Sequence, residues 1–280
     1  MNIFHSVEEC LSWRTNQKTT VGFIPTMGAL HKGHLSLVDL SKNECEKTIV
    51  SIFINPTQFA PNEDLDSYPR TTDQDLRRLK EKKVSAVFMP NADQMYNQKS
   101  NDYFFSSNLS HKLEGKSRPH FFKGVTTIVH KLFNIVNPTH AFFGEKDAQQ
   151  LLIVEQMIEQ KHPSICLVKG PTIRNNGGLA LSSRNYYLSK ENKIIAINIY
   201  KGLMYIKSLL NNGNKDSDDL KKMFINFIND FSAFSIDYIS IADIQTLEEI
   251  ETVDRKVLVS TAILLDGVRL IDNFVYSPST

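Results

Sequence analysis

Short apolar runs that alternate with helical stretches, as far as about residue 172, constrain the fold of this chain more than any other feature. Residues 20–26, 48–55, 85–89, 139–143 and 165–168 are rich in Val, Ile and Phe and read as buried strands. Between them, residues 35–46, 73–82, 125–135 and 147–160 carry helical spacing. Strand and helix in alternation predict a parallel, doubly wound, Rossmann-like α/β sheet with helices on both faces. Ligands bind such sheets beyond the carboxyl ends of the strands, so polar clusters that follow strands become the candidate site.

After about residue 172 the pattern changes. Residues 189–210 and 217–228 read as helices and 236–242, 256–265 and 268–273 as strands, with Asp266-Gly267 marking a hairpin. A length of 280 residues with 41% hydrophobic content supports two domains. We therefore expect a Rossmann-like domain at 1–172 and a smaller α+β domain at 173–280 that forms a lid over the site.

Charge and cysteine usage narrow the partners. A net charge of +1, from 32 basic against 31 acidic residues, gives no general field for a nucleic-acid backbone. The basic cluster of residues 77–83 interleaves with Leu76 and Leu79 at helical spacing and reads as a solvated helix face. No apolar run reaches the ~18 residues of a membrane span, and Met1-Asn2-Ile3-Phe4-His5 lacks a basic segment leading into an apolar one. Cys10, Cys45 and Cys166 are too few and too scattered for a disulfide framework or a zinc pattern. The expectation is a cytoplasmic protein acting on small molecules, with no nucleic-acid or membrane partner.

The strand-to-helix junction Ile24-Pro25-Thr26-Met27-Gly28-Ala29-Leu30-His31-Lys32-Gly33-His34 sets two imidazoles and two glycines at a helix start. Glycine permits close approach to phosphate oxygens, the helix start offers N–H groups with partial positive charge, and imidazole donates hydrogen bonds. A histidine that merely caps the helix is the plainer alternative, and two imidazoles without a third ligand make a poor zinc site. Two more polar clusters follow strands: Asn55-Pro56-Thr57-Gln58-Phe59, and Gly144-Glu145-Lys146-Asp147-Ala148-Gln149-Gln150. All three can converge in one crevice.

Together with Leu179-Ala180-Leu181-Ser182-Ser183-Arg184-Asn185 and Asp64-Leu65-Asp66-Ser67-Tyr68-Pro69-Arg70-Thr71, these motifs resemble the pantothenate synthetase (pantoate–β-alanine ligase) family, of the broader H-x-G-H nucleotidyltransferase fold type. The resemblance implies an ATP-dependent ligase that condenses pantoate with β-alanine through a pantoyl adenylate, releasing pyrophosphate and AMP. It implies an ATP site of Met27, Gly28, Ala29, Leu30, His31, Lys32, Gly33, His34, Gly144, Glu145, Lys146, Asp147, Ile173, Leu181, Ser182, Ser183 and Arg184. Within that set His34, His31, Lys146 and Arg184 are the catalytic group, His34 donating to the reacting phosphate. Gln58, Gln150 and Asn55 are expected to hold the substrates. Uncharged amides recognise hydroxyls and a carboxylate without an ion pair that would quench the nucleophile. The Ser182-Ser183-Arg184 loop is expected to clamp phosphate, as the K-M-S-K-S loop does in class I aminoacyl-tRNA synthetases.

Mg2+ is expected as the cofactor, held mostly by ATP oxygens and water. Asp73 and Asp75 lie where some relatives place acids near magnesium, but Gln74 stands between them; no metal ligand is assigned. A homodimer is expected by resemblance. Two departures from the family pattern stand out: Phe121 replaces a histidine in Arg118-Pro119-His120-Phe121-Phe122-Lys123-Gly124-Val125, with Arg118 kept as a phosphate or substrate contact, and Gly177 replaces an acid. The rival classes are a nucleotidyltransferase, which would leave a nucleotide on its product, and a non-catalytic ATP-binding protein.

Overall fold

Residues 1–61, 63–96 and 105–278 of the chain are described by a computed structural model. Strands β1 (Asn2–Phe4), β2 (Val21–Thr26), β3 (Lys47–Ile52), β4 (Ala86–Phe88), β5 (His140–Gly144) and β6 (Cys166–Gly170) form a parallel sheet in the order β1-β4-β3-β2-β5-β6. Helices α1 (Val7–Thr15), α2 (Lys32–Glu44), α3 (Thr72–Glu81), α4 (Ala92–Tyr96), α5 (Glu114–Ser117), α6 (Phe121–Val136) and α7 (Ala148–Lys161) accompany it.

Alternation along the strands decides which face each side chain packs on. Phe23, Ile49 and Phe143 join the core beneath α1, α6 and α7, while their neighbours Ile24, Val50 and Phe142 join Leu37, Val38 and Leu79 beneath α2 and α3. Both faces are therefore dry, as a parallel sheet requires.

The expected α/β class is borne out, with differences at the edges. Residues 2–4 add an edge strand, and the Ser6–Glu9 capping box starts α1. Residues 53–55 leave the sheet, because Asn55 caps the single turn Pro56–Gln58.

The switch point lies between β2 and β5. These neighbours are in register only at Gly22–His140 and Phe23–Ala141, so they splay beyond Phe23. A crevice opens there, flanked by the segments that follow both strands.

Downstream, α8 (Lys190–Asn211) and α9 (Ser217–Asn229) pack on the antiparallel sheet β7 (Phe234–Asp243), β8 (Val257–Leu265) and β9 (Val268–Tyr276). Leu203, Phe224, Ile241 and Val259 lie in a separate core there. The turn between β8 and β9 is at Asp266 (φ 50°) and Gly267 (φ 76°), the left-handed pair of a two-residue hairpin.

Candidate active site

The segment after β2 is held in a strained turn by one buried acid. Gly28 (φ 83°) and Ala29 (φ 49°) are both left-handed. Asp75, only 1% exposed, accepts from the Ala29 and Leu30 N–H groups at 2.9 and 2.8 Å and from Thr71 Oγ1 at 3.2 Å. Burial raises its carboxyl above the ordinary range, and the three donors work against that rise. Arg78 reaches back from α3 to the Leu30 carbonyl.

His31 then caps α2: its Nδ1 accepts from Gly33 N–H at 3.1 Å, and His34 Nδ1 accepts from His31 N–H at 3.3 Å. The rings lie 4.0 Å apart. Burial, then the neighbouring His34, Lys146 and Arg78, pushes His31 down to about 2. Burial also pushes His34 down to about 4, with Asp147 opposing the fall and Lys146 adding to it. Both rings are thus neutral at pH 7. With each Nδ1 accepting, the proton sits on Nε2, and each ring keeps one outward donor.

His31, His34, Lys146, Gln58, Gln150 and Arg184 line one cavity of about 230 Å³ in the splayed crevice. Gln58, 9% exposed, and Gln150 make no side-chain hydrogen bond among the described residues. Lys146 Nζ lies 3.4 Å from Asp147 Oδ1, and Asn273 on β9 donates to the Glu145 and Lys146 carbonyls at 3.1 and 2.8 Å. Met27, Gly33, Gly144, Asp147, Ile173, Leu181, Ser182 and Ser183 also line this cavity.

Arg184 is held by Asp64, at 3.1 and 2.8 Å. Burial opposes its charge, but the carboxylate outweighs burial and holds the guanidinium above its ordinary range. Ser183 Oγ donates to the Ala29 carbonyl at 3.2 Å, docking this loop on the turn after β2. Alongside, Arg118 is paired to Glu63 through two 2.6 Å contacts and lies 4.0 Å over the Phe121 ring. A larger cavity of about 590 Å³, toward β7–β9, shares Arg118, Lys146, Gln150 and Arg184 with the first.

Several expectations are corrected. The N–H groups of Gly28, Ala29 and Leu30 do not face the cavity: Thr26 Oγ1 takes the first and Asp75 the other two. The Leu30 side chain is core, and Lys32 and Glu145 are exposed away from the cavity lining. Asn55 spends its amide on the Gly124 carbonyl (3.1 Å), Thr57 and Tyr96, so it shapes the wall rather than offering a free group. Asp73 is exposed and Asp75 fully engaged, and no group of three or more metal-ligating side chains occurs among the described residues. Arg78 is no solvated charge. His120 is exposed, while Phe121 occupies the cavity wall. Sequence reasoning assigns no role to Glu63, Asp64 or Asn273; the Asp64–Thr71 stretch is the available signal for the second, and nothing local marks the others.

Comparison with known proteins gives the family. The family model described as pantoate-beta-alanine ligase matches residues 2–275. The pantothenate synthetase of Thermotoga petrophila is 42% identical over 98% of this chain and 99% of its own length, and the pantoate–β-alanine ligase of Saccharomyces cerevisiae is 42% identical over 98% and 100%. Among solved structures, pantothenate synthetase from Thermus thermophilus superposes with a TM-score of 0.92 at 35% identity, covering 98% of this chain and 99% of its own. The Francisella tularensis pantoate–β-alanine ligase, complexed with β-γ ATP and β-alanine, superposes at 0.79 with 32% identity over the whole of both chains. With the family match running along nearly the entire sequence and the fold shared, this chain belongs to the pantoate–β-alanine ligase family.

Proposed function

We propose that the cavity between β2 and β5 carries out the family's ATP-dependent condensation of pantoate with β-alanine in two half-reactions. The overall activity is that of a carbon–nitrogen ligase, as the family match and its 42% identical relatives establish. In the first step a pantoate carboxylate oxygen attacks the α-phosphorus of ATP, and the bond to pyrophosphate breaks. In the second the amine of β-alanine attacks the acyl carbon of the pantoyl adenylate, loses a proton, and AMP departs with the acyl–oxygen electron pair.

Each residue's part follows from its chemistry. The outward Nε2–H groups of His31 and His34 donate to phosphate oxygens, and neutrality spares them a charge that would bind the ground state as tightly as the transition state. Lys146 and Arg184 offset charge on the triphosphate. Gln58 and Gln150, with free amides, fit the hydroxyls and carboxylate of pantoate. Adenine fits beside Ile173 and Leu181. Mg2+ suits this site as an ion carried by the triphosphate, where it would neutralise phosphate charge. Asp75 is already saturated with donors, so ATP oxygens and water would be the ion's ligands.

The α8–β9 unit serves as the lid, and the Ser182-Ser183-Arg184 loop moves with the nucleotide. We also infer a cytoplasmic homodimer: the free thiols Cys10, Cys45 and exposed Cys166 suit a reducing compartment, and the dimer rests on family resemblance alone. Sedimentation at micromolar concentration tests the dimer; a monomer mass rejects it.

The observation that carries this reading is that His34, Lys146 and Arg184, from three distant segments, line one cavity with two unengaged glutamines. The test is isotope exchange of pyrophosphate into ATP. It should require pantoate and proceed without β-alanine; absence of exchange in folded protein rejects the adenylate route. His34→Ala and Lys146→Ala should each slow it by about 10²–10³, the scale of a lost transition-state donor.

A further inference from the structure

Two adjacent acids meet the two arginines of the cavity wall. Glu63 grips Arg118 through Nε and Nη2, and Asp64 grips Arg184 through the same pair of nitrogens. That forked edge is the one with which a guanidinium takes two oxygens of a phosphate. The acids come from the side of the 590 Å³ cavity, whereas Arg118 and Arg184 line both cavities. The two ion pairs therefore sit where the smaller chamber meets the larger.

The chamber on the His34 side, about 230 Å³, is below the ~300 Å³ at which ligand pockets begin. The chamber is lined by Arg118, Lys146 and Arg184 with Asp147 as its single acid among the described lining residues. Such an excess of positive charge is costly to hold half-buried without counter-charge.

We propose that Glu63 and Asp64 are built-in phosphate surrogates: they occupy Arg118 and Arg184 while the site is empty, exchange places with the triphosphate on binding, and return to the arginines as pyrophosphate leaves. This rests on the reading that Arg184 meets the nucleotide's phosphates, extended here to Arg118 beside it. The exchange sets a tax on anion affinity, since the arginines must first be released. It returns that free energy when pyrophosphate departs.

The test is calorimetric titration of inorganic pyrophosphate into the wild-type protein, Glu63→Gln, Asp64→Asn and Arg184→Ala, each checked for native circular dichroism. Both acid variants should bind about tenfold tighter, the scale of one strong charge-assisted contact. They should also show a lower KM for ATP and a lower kcat as pyrophosphate release slows. Acid variants that bind equally or more weakly, while Arg184→Ala loses binding, overturn the surrogate role and leave the phosphate reading standing. Arg184→Ala that binds like wild type removes the phosphate reading and the proposal with it. Amide exchange on the wild-type protein gives a check free of mutation: residues 63–68 should exchange faster when saturated with pyrophosphate, and unchanged or slower exchange counts against the proposal.

Discussion

At Gly124 the backbone of α6 runs directly against the turn that carries Gln58. A Cβ there would stand 2.4 Å from the Thr57 carbonyl oxygen and 2.8 Å from Gln58 N. Gly124→Ala must push helix and turn apart, at the ~1–3 kcal/mol typical of overpacking. We expect a lower urea midpoint together with a raised KM for pantoate, measured by steady-state kinetics with pantoate varied. An unaltered KM in a destabilised variant would confine Gly124 to packing. That His31, His34 and Lys146 follow strand ends is legible in the sequence, whereas a role for Lys146 comes from the family resemblance, since a lysine beside an acid is by itself an ordinary exposed pair. The engagement of Asn55 cannot be read from sequence, because its partner, the Gly124 carbonyl, lies 69 residues away. Asp75 is likewise invisible as an anchor, since its donors Ala29 and Leu30 sit in another segment.

Between elements, charge ties α5 to the small sheet. Arg269 on β9 pairs with Glu114 at 2.5 and 2.9 Å and with Asp237 on β7 at 2.6 Å, and Tyr238 donates to Glu114 at 2.8 Å. Glu114 is buried, and its carboxylate presses the Tyr238 hydroxyl, already raised by burial, well above its ordinary pKa. Glu114→Ala leaves Tyr238 without its acceptor and Arg269 with half its partners, a loss on the order of 1–3 kcal/mol. Amide exchange across residues 268–276 should quicken, read by mass spectrometry; unchanged protection would mean that β9 is held without this pair. The longer elements are legible from periodicity, because each strand divides its apolar residues between two cores. The short β1 and α5 are not, for three or four residues carry too little pattern. Nor does sequence disclose where α6 begins: Phe121 and Phe122 read as part of a loop motif until their packing makes them helix.

Across the whole molecule, half-buried imidazoles tie stability to pH. Burial first, then neighbouring positive charge or a second ring, holds His31 down to about 2, and His34 and His162 down to about 4, against an ordinary 6.5. Above pH 6.5 neither the folded nor the unfolded chain protonates these rings, so they cost nothing. As pH falls from about 6.5 toward 4 the unfolded chain binds protons that the folded one refuses, and stability declines. Urea midpoints should drop across that window, and His162→Gln should flatten part of the slope; an identical slope would assign the loss to carboxylates alone. The α/β class and the grouping of polar motifs beyond the strand ends can be read from sequence, since both follow from alternation. How the small sheet meets the parallel-sheet half cannot, because those contacts join residues more than a hundred positions apart. Asn273 is the sharpest case: it grips the Glu145 and Lys146 carbonyls from 128 and 127 residues downstream. The loop that carries Lys146 is thus tied down only by the final strand of the chain's second sheet, so removing β9 would free that loop while leaving every strand of the parallel sheet in place.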